Sequence, residues 1–143
     1  METPAALIDS VKMQRNIQRM QARMNTLGVR LRPHIKTSKC LPVIQAQIAA
    51  GALGVTVSTL KEAEYCFANS ITDVLYAVAM APGKLPQALA LIRQGCRLGI
   101  ITDSVAGAQA QAQPQPAARA PGRTPCKIWL CPCFRHRKPR TPP

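Results

Sequence analysis

The sequence predicts an α/β fold, the first half of a (β/α)8 TIM barrel. Three observations carry that reading. After an opening helix, strand-like and helix-like runs alternate four times. Each strand–helix unit takes about 22 to 25 residues, near the minimum for a βα repeat. The third strand-like run, Asp73 to Met80, is apolar almost throughout, as a strand covered on both faces is. Right-handed crossovers make such strands parallel and adjacent. Eight units would close a barrel whose chemistry sits at the C-terminal ends of its strands. This chain has about four.

The elements follow in order. Pro4 to Ile8 is a short apolar stretch, expected to be extended. Asp9 or Ser10 can cap the first helix. Its apolar stripe, Met13, Ile17, Met20, Met24 and Leu27, recurs at spacings of 4, 3, 4 and 3, which is helical periodicity. A methionine stripe of this kind is core packing rather than a ligand site. Gly28 is a C-terminal stop.

Arg30 to Lys36 is the expected first strand. Arg30, Arg32, His34 and Lys36 fall on one side, Leu31, Pro33 and Ile35 on the other. A buried strand does not carry unpaired cations, because stripping their water is too costly. The stretch is therefore either a solvated edge or the polar interior of a catalytic barrel, with Lys36 near the strand's C-terminal end.

A turn, Thr37 to Cys40, leads to a helix from about Leu41 to Ala50, with Val43, Ile44 and Ile48 facing inward. Pro42 suits its first turn, and Gly51 closes it. Gly54 to Ser58 is the second strand. Thr59-Leu-Lys-Glu62 is a capping box that opens a helix to about Asn69. That structural task competes with any catalytic role for Glu62. Asp73 to Met80 is the third strand, Ala81 to Gly83 a loop, and Lys84 to Gln94 a helix stopped by Gly95. Arg97 to Thr102 is the fourth strand, and Ser104 begins one more helix.

The chain has 143 residues, 19 Lys and Arg against six Asp and Glu, and a net charge of +13. That charge is uneven. Residues 1–103 hold all six acids and twelve of the basic residues; residues 104–143 hold seven basic residues and no acid. We therefore expect two parts: a partial barrel domain over 1–108, and a disordered Pro/Arg/Cys-rich tail over 109–143. A shifted reading frame in a GC-rich gene would give such a tail. Two other readings stay open. Cys126, Cys131, Cys133 and His136 could ligate zinc, although their spacing is not a usual ligand pattern. The basic arm could instead bind nucleic acid nonspecifically. No apolar run approaches the length of a membrane span. The N-terminus lacks the basic and apolar regions of a secretory signal, so cytoplasm is the expected setting. Cys40, Cys66 and Cys96 read as reduced thiols in the core.

From about Thr3 to Ala108 the chain resembles a family of pyridoxal-phosphate lyases acting on D-amino acids: D-threonine aldolase and the eukaryotic-type D-serine dehydratases. The resemblance rests on Thr3-Pro-Ala-Ala-Leu-Ile-Asp9, Asn16, Arg32-Pro-His-Ile-Lys-Thr37, Gly54-Val-Thr-Val-Ser-Thr-Leu-Lys-Glu-Ala-Glu64, Leu75-Tyr-Ala-Val78, Lys84-Leu85 and Thr102-Asp-Ser-Val105. It implies a fold-type III, alanine-racemase-like N-terminal barrel with pyridoxal 5′-phosphate as cofactor. It further implies that Lys36 forms the Schiff base with the cofactor aldehyde, and that Arg32 and His34 line the site beneath it. Lys39 is a rival lysine in the turn beyond. Many family members have Thr-His-Lys where this chain has Thr37-Ser38-Lys39. The family's divalent metal site lies largely in a C-terminal β domain that has no counterpart here, so no metal ligand is assigned. The implied partners are a small D-amino acid substrate and a second subunit in a homodimer, without membrane or nucleic acid. A chain with this extent is expected to be a truncated, inactive portion of such an enzyme. A non-catalytic barrel that binds the same cofactor, and a nucleic-acid-binding tail, are the alternatives.

Overall fold

The computed structural model describes residues 7–112 and 127–130. The chain divides into two compact units, Met1–Val55 and Thr56–Pro143.

In the first unit, helix α1 runs Ser10–Thr26. Asp9 caps it: its carboxylate accepts from the Lys12 backbone N–H at 2.9 Å and pairs with the Lys12 ammonium at 3.3 Å. The helix ends as expected at Gly28, which sits at φ +66°. A side chain there would be strained, and the left-handed turn lets the Val29 N–H reach back to the Met24 carbonyl at 3.1 Å. The apolar stripe is only partly buried. Ile17 is in the core, but Met20 and Leu27 are 51% and 53% exposed, and Gln21 is buried instead. Helix α2 spans Leu41–Ala49 with Pro42 in its first turn and Ile44 fully buried.

Between these helices the expected strand Arg30–Lys36 is corrected. The chain is extended, and the Leu31 carbonyl accepts from Leu53 N–H at 2.9 Å. Only His34 forms a bridge, and Ile35–Thr37 turns into a short 3-10 helix. The two-faced alternation fails with it: Leu31, Arg32, Pro33 and His34 are all half-buried.

The sheet has the order β1-β2-β3-β4. β1 is Val55–Val57, β2 Asp73–Ala79, β3 Arg97–Thr102 and β4 Lys127–Leu130. The pairs β2–β3 and β3–β4 are parallel, as βα repeats require. In the second unit, α3 (Leu60–Ala68) and α4 (Leu85–Arg93) each connect one strand to the next. Val74, Tyr76, Leu98 and Ile100 are buried on the sheet, with Ala63, Cys66, Ala88 and Leu91 buried on the helices. Pairing of β2 with β3 starts at Asp73 opposite Arg97, reinforced by an ion pair at 3.6 Å. It is regular to Tyr76 opposite Ile100 and then slips, with Ala79 opposite Ile101. Ala77 and Val78 form the bulge.

The expected disordered tail is corrected at two places. α5 continues through Val105–Ala112, and Lys127–Leu130 pairs with Gly99–Thr102 of β3. The rest of the tail, including the possible zinc residues Cys126, Cys131, Cys133 and His136, lies outside the described residues, as do Thr3 to Ala6. No described helix is long and apolar enough to cross a membrane.

Candidate active site

Lys36 sits in the middle of the 3-10 turn Ile35–Thr37. Three neighbours fix that turn. Ile35 is buried at 2% exposure and anchors it. The His34 imidazole accepts the Lys36 backbone N–H through Nδ1 at 3.2 Å, capping the turn's first free donor. The Ile35 carbonyl accepts from Lys39 N–H at 2.9 Å and closes it. A ring nitrogen that accepts a hydrogen bond carries no proton, so the imidazole N–H is on Nε2. The contact between His34 and Lys36 runs from the imidazole to the Lys36 backbone.

The Lys36 side chain is exposed, and among the described residues nothing pairs with its ammonium. A rigid backbone and an unengaged amine suit a group that must reach an electrophile. Arg32 is half-buried, two residues before the cap. Lys39 has φ +45°, a conformation that L residues rarely adopt. Strain of this kind gathers at functional turns. Among the described residues there is no cluster of three His, Cys, Asp or Glu side chains that could hold a metal ion.

Glu62 is placed by the capping box. Its carboxylate accepts from Ser58 N–H at 2.9 Å and Thr59 N–H at 3.3 Å, while Thr59 Oγ1 accepts from Glu62 N–H at 3.1 Å.

The sequence reading missed a pair in the second unit. Tyr76 of β2 is fully buried, and its hydroxyl accepts from the Lys84 ammonium at 3.3 Å. That ammonium also lies 5.8 Å from the ring centroid, within cation–π range. Lys84 is delivered by a 3-10 turn, Pro82–Lys84, that directly follows the bulged end of β2. A lone tyrosine in an otherwise apolar strand was the signal available. Such a phenol needs a partner when buried.

Comparison with known proteins places the chain in a family. The family profile described as "Alanine racemase, N-terminal domain" matches residues 8–130. The chain belongs to the alanine racemase N-terminal domain family. Within it, the D-threo-3-hydroxyaspartate dehydratase of Delftia sp. (strain HT23) is 67% identical over 112 residues, 78% of this chain and 30% of the dehydratase. The D-serine dehydratase of Dictyostelium discoideum is 32% identical over 73% of this chain and 28% of its own length. The crystal structure of D-threonine aldolase from Filomicrobium marinum superposes with a TM-score of 0.77 at 31% identity, covering 90% of this chain and 34% of that one. The chain thus spans about a third or less of the relatives it matches. The relatives expected from the resemblance, D-serine dehydratase and D-threonine aldolase, are both among these matches.

Proposed function

We propose that this chain provides the cofactor-lysine portion of a pyridoxal-phosphate-dependent lyase acting on D-amino acids. One observation carries the reading. Lys36 presents an unengaged amine from a turn whose backbone is capped by His34. The 67% identity to a D-threo-3-hydroxyaspartate dehydratase supports the substrate class. The named relatives act on D-amino acids that carry a β-hydroxyl, so we extend that class to this chain.

The residues present fit the cofactor at its aldehyde end. Lys36 offers the amine that joins the aldehyde. His34 holds the backbone from which that side chain extends, and Arg32 adds a cation nearby in sequence for the cofactor's anionic groups. Bound there, the cofactor is an electron sink for charge developing at the substrate's Cα. One solved form of the Delftia dehydratase, a point mutant, is described as metal-free, which supports a metal as part of this chemistry. Its ligands are not assigned to this chain. A cytoplasmic setting and a homodimer belong to the same proposal.

Borohydride reduction of the full chain mixed with pyridoxal 5′-phosphate, followed by peptide mapping, tests it. We expect the label on Lys36 and its loss in Lys36→Arg. Labelling of Lys39 or Lys84 in preference to Lys36 would overturn the assignment.

A further inference from the structure

Helix α1 carries four basic side chains and no acid within its length. Lys12 is paired with Asp9. Arg15, Arg19 and Arg23 are different. They recur every four residues, so they line up along one face. All three are exposed, and among the described residues none has a carboxylate partner. Beside this row lies a groove of about 550 Å³ between α1 and α2. Gln14, Gln18 and Asn25 form one wall, and Ala46 and Ala49 of α2 form the other. Gln21 lies at its base, 7% exposed. Its Nε2 donates to Asn25 Oδ1 at 2.8 Å, but its Oε1 is buried without a donor. Gly51 packs against it; a Cβ there would stand 3.4 Å from the Gln21 amide.

We propose that this groove docks an acidic helix of a partner protein. Alanine walls let another helix backbone approach closely. The amides offer both donors and acceptors to polar side chains. The unsatisfied Gln21 oxygen gains if its amide turns toward an incoming donor. Carboxylates spaced every four residues on the incoming helix would meet Arg15, Arg19 and Arg23 in register, and the arginine fork suits them. A second copy of this chain is disfavoured, because two α1 helices would bring six arginines together. A DNA strand would satisfy the arginines, yet its backbone brings no donor for the buried oxygen.

Fluorescence anisotropy on the full chain tests the idea with a labelled, alanine-based helical peptide of about 18 residues bearing Glu at every fourth position with Ser beside it. We expect saturable binding that weakens about tenfold between about 50 and about 300 mM salt. The triple variant Arg15→Gln/Arg19→Gln/Arg23→Gln should lose at least about tenfold, and Arg19→Gln alone a smaller part. Gln14→Ala/Gln18→Ala should weaken binding several-fold, which simple charge attraction would not. Amide exchange should slow across residues 10–26 and 41–50. Circular dichroism checks that each variant keeps its helices, and the single Arg19→Gln change serves if the triple variant does not. Absent saturable binding, equal binding of a scrambled non-helical peptide, tighter binding of a single-stranded oligonucleotide, protection elsewhere, or self-association that excludes the peptide would each overturn the proposal.

Discussion

The His34 imidazole accepts the backbone N–H of Lys36 at 3.2 Å, so the residue before the turn fixes the lysine that the turn presents. His34→Asn keeps a short acceptor at the cap and should be mild. His34→Ala leaves the donor to water and should cost about 1 kcal/mol, as other cap losses do. The Lys36 amide should exchange faster in His34→Ala than in His34→Asn.

The capping box of α3 is structural. Thr59→Ala should lower stability by about 1 kcal/mol. Glu62→Ala removes the acceptor for two N–H groups and should cost at least as much. Neither change should move the borohydride label off Lys36. A loss of labelling in a Glu62→Ala chain that remains folded would reopen a chemical role for that carboxylate.

The buried thiols give a pH prediction. Burial, aided by the Glu62 carboxylate, pushes Cys66 up to about 11. Burial, then Asp73 and Cys66, does the same for Cys96. A raised thiol value means that the folded state prefers the neutral form. Its contribution is full below the unfolded value of 9.0 and is lost as pH rises through about 11. Cys66→Ser/Cys96→Ser should flatten that alkaline decline in urea titrations. At neutral pH, iodoacetamide should alkylate Cys40, which is half-exposed, before either buried thiol.

Among the described residues, two non-glycine residues hold positive φ, Lys39 at 45° and Ser70 at 66°. Ser70→Gly relieves about 1 kcal/mol of left-handed strain, offset in part by added unfolded-state freedom. Thermal unfolding should show a small gain, and Ser70→Val a clear loss. Lys39→Gly should behave alike without affecting Lys36 labelling, which also separates the two lysines.

Most helices and three strands were legible from spacing alone. Thr59 and Glu62 were legible as a box because the motif satisfies its own donors. The lysine turn was misread because alternation of Arg30, Arg32, His34 and Lys36 is a statement about side chains. The imidazole at His34 diverts the backbone one residue before the pattern ends. The α1 stripe was overread for a related reason. Periodicity marks a face, while burial depends on what packs there, and Gly51 leaves room for Gln21. Lys84 could not be assigned to Tyr76, since the bulge at Ala77 and Val78 that aims it leaves no mark in composition.

The sheet order, β1-β2-β3-β4, is also the order of synthesis. Each strand can settle against one that left the ribosome shortly before it. None has to be held open for a distant partner, so an arrest anywhere along this chain leaves a nascent sheet with its earlier strands already matched.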